Sequence, residues 1–141
     1  LGTGPLWPIN EIQLAASLGI QLVFASFVPQ KGSTLKMHPA RGAPAKLLQG
    51  VKTVEALDSG GIVGGTALIA LPPDSPDQSG LGYKPDQCAF AALYEFGAGK
   101  VIVMGHSGIA GNQGTPYPSK GQIGAADNLT FLNNCITFLG S

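Results

Sequence analysis

Ala89-Phe90-Ala91-Ala92-Leu93-Tyr94-Glu95-Phe96-Gly97-Ala98-Gly99-Lys100-Val101-Ile102-Val103-Met104 is the most regular stretch of the chain, and the choice of architecture rests on it. Ala89, Ala92, Leu93 and Phe96 stand at i, i+3, i+4 and i+7, the spacing of one apolar helix face, and Gly97 with Gly99 supplies a stop. Val101 to Met104 is a continuous apolar run of the kind a buried strand needs. Gly105-His106-Ser107-Gly108 then turns the chain at the strand's carboxyl end. The expectation is helix, strand, turn.

Downstream, Asp127 suits the N-cap of a last helix in which Phe131, Leu132, Cys135, Ile136, Phe138 and Leu139 form a broad apolar stripe closed by Gly140. Upstream, Pro8, Ile9, Ile12 and Ala16 with Gly19 predict a short helix, and Ile20 to Val28 a strand buried on both faces. The segment from Pro29 to Pro44 reads as a surface loop. Val51 and Val54 suggest a short strand, Asp58-Ser59-Gly60-Gly61 a turn, and Thr66 to Leu71 another strand ended by Pro72-Pro73. Asp74 to Pro85 is a long loop, and loops of that length in compact domains are often interaction elements. Helices alternating with apolar strands predict an α/β layer fold on a mostly parallel sheet, as one domain over residues 1–141.

The 141 residues include 21 glycines and 11 prolines, with 11% charged and 44% hydrophobic residues. Eight basic side chains balance eight acidic ones, so no basic field exists for nucleic acid. No apolar run approaches the length of a membrane span. The chain starts at Leu1, as expected of a processed or excised piece. Cys88 and Cys135 form one bridge or remain two buried thiols. Asn128-Leu129-Thr130 is a glycosylation sequon, which with a bridge would place the protein in the secretory pathway or outside the cell.

Gly105-His106-Ser107-Gly108-Ile109 approaches the nucleophile elbow of serine hydrolases, which makes Ser107 and His106 the candidate catalytic residues. Ile109 stands where the elbow needs glycine, and no histidine follows Ser107; His38 is the one other histidine. Two histidines so far apart give no metal-ligand spacing, and no cofactor is expected. Tyr83 and Tyr117, in Pro/Gly-rich stretches, either offer contact surface for a sugar or a protein or cover a core edge, whereas Trp7 reads as such cover.

Four segments together resemble the class I glutamine amidotransferase-like domain, in the non-catalytic branch found as accessory domains of enhancin-like mucin metallopeptidases and channel-associated factors. They are Ile9-Asn10-Glu11 with Leu18-Gly19-Ile20; Leu47-Leu48-Gln49-Gly50-Val51; Gly97 through His106; and Asp127-Asn128-Leu129 through Leu139. The resemblance implies a three-layer flavodoxin-like fold lacking its first strands. It also implies no amidotransferase activity, because Gly108 stands where the family's His-x-Glu pair has its acid and no cysteine precedes Cys88.

The expected function is a non-catalytic binding or assembly module with a glycan or protein ligand at Gly105, His106, Ser107, Gly108, Asn112, Tyr83 and Tyr117. A homo-oligomer, or association with another fragment of a parent protein, would cover a strand edge. The alternatives are a small serine hydrolase using Ser107, or a structural protein that self-assembles outside the cell.

Overall fold

The computed structural model describes residues 9–110 and 122–141. In chain order these form α1 (Ile9–Ser17), β1 (Gln21–Phe27), β2 (Leu35–Pro39), the single-turn α2 (Ala45–Leu48), β3 (Val54–Ala56), β4 (Ser59–Val63), β5 (Thr66–Ala70), β6 (Ala89–Phe96), β7 (Gly99–Met104) and α3 (Asn128–Leu139). Short 3-10 turns lie at Pro85–Gln87 and Ser107–Ala110.

Every strand pairing is antiparallel, along the path β1-β4-β6-β5-β2-β3 with β7 beside β6. This overturns the three-layer, mostly parallel flavodoxin-like expectation, and with it the resemblance to the amidotransferase-like domain. Parallel strands need long crossover connections. Here the stretch expected to be helix then strand is a hairpin, paired from Phe96↔Gly99 to Ala91↔Met104. Gly97, at φ +60°, opens the two-residue loop as the first position of a type II′ turn requires.

Burial explains why the β6 sequence looks helical. Phe90, Ala91 and Leu93 enter the main core, while Ala89, Ala92 and Tyr94 enter a second cluster with Ala15, Ile20 and Ile62. A bulge against β5, where Ala89 faces Ala70 and Ala91 faces Ile69, puts Phe90 and Ala91 in the same cluster. With both faces apolar and one residue out of phase, the period of two disappears from the sequence.

Two further strands lie where turn or loop was expected. β4 carries Ser59-Gly60-Gly61 because larger residues would not fit: a Cβ on Gly61 would strike Val23, and one on Gly105 would strike Ser59 and the Gly60 backbone. That close approach lets Gly60 N donate to Gly105 O at 2.9 Å and Gly105 N to Phe90 O at 2.7 Å. β2 buries Leu35 and Met37 and turns Lys36 and His38 outward.

The main core gathers Phe27, Phe90 and Phe131 with Leu35, Met37, Leu47 and Leu68. Each large side chain removed from water contributes roughly 1.5–3 kcal/mol. Polar side chains fix where α3 lies. Asp127 stands at its N-cap but makes no cap bond; its carboxylate instead accepts from Lys52 N at 2.7 Å and Thr53 N at 2.9 Å. Asn134 donates to Leu47 O and Gln49 O, tying the helix to the end of α2. Among the described residues, no helix is long and apolar enough to cross a membrane.

Candidate functional site

The turn after β7 is built around His106. Its Nδ1 accepts the Gly108 N–H at 2.9 Å, so the ring proton sits on Nε2. Nε2 lies 3.1 Å from Asp58 Oδ1, an ion-pair distance without the alignment of a hydrogen bond. Burial raises the Asp58 pKa above its ordinary value, and His106 partly offsets this. Gly108 is required by the arrangement, because a Cβ there would fall on the imidazole. Both ring nitrogens face other groups, which leaves none to take a proton from the exposed Ser107. Gly105, Gly108 and His106 thus shape a turn that seats Ile109 in the core.

The other predicted site residues are dispersed. Tyr83 packs against the main core, and its N–H donates to Asp77 Oδ2. Asp77 also accepts from Ser26 N, Ser79 N and the Ser79 hydroxyl, so one carboxylate organises the loop expected to bind. Trp7, Asn112 and Tyr117 lie outside the described residues.

Asn128, the sequon residue, is fully buried. Its Oδ1 accepts from Glu55 N, and its Nδ2 donates to Glu55 O and Gln122 O, all at 2.8–2.9 Å. The folded chain therefore offers no acceptor amide to a glycosylating enzyme, which corrects the glycosylation expectation. Cys88 and Cys135 are free thiols rather than a bridge. Burial pushes Cys88 up to about 11, aided by Asp77 and Asp86, and pushes Cys135 up to about 12. Neither is a poised nucleophile.

Sequence reasoning missed an open cleft of about 640 Å³ between the segment leading into β2 and the turn that follows β5. One wall is Pro29 to Lys36; the other is Pro72, Asp74 and Ser75, with Glu55 of β3 alongside. Lys31, Lys36, Glu55 and Asp74 bring charges of both signs, and among the described residues none of them forms an ion pair. The Thr34 hydroxyl donates to Glu55 Oε2 at 3.3 Å. Ser75 is buried, with its N–H and hydroxyl both donating to Pro72 O at 3.1 and 2.7 Å, which holds that wall. The usable signal was Leu35-Lys36-Met37-His38, an alternating strand hidden between prolines. Among the described residues, no cluster of three or more His, Cys, Asp or Glu could hold a metal ion.

No protein-family model, curated protein or solved structure matches this chain, so the resemblance drawn from its scattered segments has neither the sheet nor a relative behind it.

Proposed function

We propose that this protein is a non-catalytic binding module whose ligand seats in the cleft between Pro29–Lys36 and Pro72–Ser75. The supporting observation is the cleft itself: its volume lies within the range of about 300–1,000 Å³ found for ligand sites, and it is lined by unbridged charges of both signs. A protein ligand is favoured over a glycan. Among the described residues, no Trp, Tyr or Phe lines the cleft to stack on a sugar ring, while lysines and carboxylates suit the side chains of a peptide.

The test is a titration of isotope-labelled protein, followed by amide chemical shifts, with a pool of charged tetrapeptides and separately with a pool of neutral oligosaccharides. Shifts at Lys31, Lys36, Glu55 and Asp74 with the peptides are expected. Shifts confined to other regions, or turnover of an activated ester that Ser107→Ala abolishes, would overturn the reading.

A further inference from the structure

The cleft exists because β2 and β5 part company at a defined residue. Their register pairs Pro39 with Ile69 and His38 with Ala70, and Ala40 N donates to Leu68 O at 2.9 Å. A strand's backbone groups point to alternate sides, so those of residues 40, 38 and 36 all face β5. The same register places Lys36 opposite Pro72. Pro72 has no N–H to give, and its carbonyl is taken by Ser75 N and the Ser75 hydroxyl.

Lys36 finds no substitute on its other side. β2 meets β3 through Leu35↔Ala56, Lys36↔Glu55 and Met37↔Val54, and it is residues 35 and 37 that point their backbone groups toward β3. Glu55 turns its own N–H and C=O the other way, to Asn128. Beyond the β2–β3 ladder, whose bonds by this alternation fall at residues 35 and 37, no backbone hydrogen bond to the Lys36 N–H or C=O forms among the described residues. The cleft thus presents an unpaired donor and acceptor from one strand residue, flanked by the lysine side chains of positions 31 and 36.

We infer that the cleft receives an extended acidic peptide segment of a partner, which adds to β2 as a short strand by pairing with the Lys36 backbone. This deepens the binding reading above and rests on it. Backbone pairing supplies a directional contact that requires a non-proline residue in the ligand. The acidic preference follows from position: both lysines stand on the β2 wall that the segment would pair with, and among the described residues neither has an ion-pair partner, whereas Asp74 stands on the opposite wall and Glu55 accepts from Thr34.

The probe is the pentapeptide acetyl-Thr-Val-Glu-Val-Thr-amide, compared with its Glu-to-Lys analogue and with two versions N-methylated on alternate backbone nitrogens in opposite phases. In the free protein the Lys36 amide should exchange rapidly with solvent, and saturating peptide should slow it at least tenfold. One methylation phase should weaken binding about tenfold, the loss of one well-made hydrogen bond, while the other phase binds as the parent does. Lys36→Ala should keep that phase dependence and lose part of the preference for Glu over Lys.

A Lys36 amide already protected in the free protein, or equal binding by both methylated phases, would overturn strand addition while leaving the cleft as a binding site. No shift at any cleft residue with any of these peptides would overturn both.

Discussion

Asn128 shows how much one buried amide can hold. It satisfies the N–H and C=O of Glu55 and the carbonyl of Gln122 at once, joining α3, β3 and the segment before the helix. Asn128→Ala leaves those three groups unpaired, the Glu55 pair half-buried and the Gln122 carbonyl buried, and should cost about 3 kcal/mol in a urea titration. Asn133→Ala, on the exposed side of the same helix, should stay within about 0.5 kcal/mol. Its neighbour Asp127 has its pKa held below the ordinary 3.8 by the Thr53 N–H, then the Lys52 N–H. For Asp77, burial pushes upward, but the hydrogen bonds from Ser26, Ser79 and Tyr83 outweigh it and the pKa again falls below 3.8. A carboxylate with a lowered folded pKa contributes stability that is present above 3.8 and lost as pH falls through the folded value. Thermal midpoints should therefore drop on acidification below 3.8, and Asp127→Asn should make that drop shallower. Asp58 works the other way: its raised pKa means the folded state takes up the proton first, so acidification through the window just above 3.8 relieves it. Read as sequence, Asp127 announces a helix start correctly, but its carboxylate goes to the segment just before β3, far away in the chain. Asn128 announced a sequon because the triplet carries no sign of burial.

Among the elements, the β6–β7 hairpin separates what a sequence states from what it leaves ambiguous. In sequence Gly97 has the mark of a helix stop; in the fold it is a hairpin turn. Both readings use the same property, since glycine at positive φ closes a helix or opens a type II′ turn equally well. A Cβ at Gly97 would meet nothing within 4 Å, so Gly97→Ala tests backbone strain alone. A loss of about 1–2 kcal/mol is expected in thermal or denaturant unfolding, whereas D-alanine placed there by chemical synthesis should preserve stability or raise it. Elements with one apolar face or clean boundaries were legible: α1 before Gly19, β1, β5 before Pro72, β7 and α3 all lie close to their expected places. The elements lost were β2, whose two buried side chains are too few to stand out between prolines, and β4, whose glycines serve close packing rather than a turn.

Over the whole molecule, reading β6 as a helix and overlooking two strands was enough to exchange an antiparallel sheet for a parallel one. The cleft was illegible for a related reason. It arises from the register between β2 and β5, and a strand that is not recognised has no register. The expected binding loop proved to be pinned by Asp77, and the expected turn at His106 has its imidazole engaged on both sides, so the surface left open for a ligand lies elsewhere.

β3 ends the sheet's pairing path, and an end strand is where a second molecule can attach and start a fibril. Here a side chain closes that end: the Asn128 amide imitates the next strand across Glu55. Removing it uncovers a template for polymerisation while also loosening the fold. At matched fractions unfolded, Asn128→Ala should form thioflavin-positive aggregates where Gly97→Ala remains monomeric. The helix that follows β3 in space thus occupies, through one side chain, the pairing position that a second molecule would need at this end of the sheet.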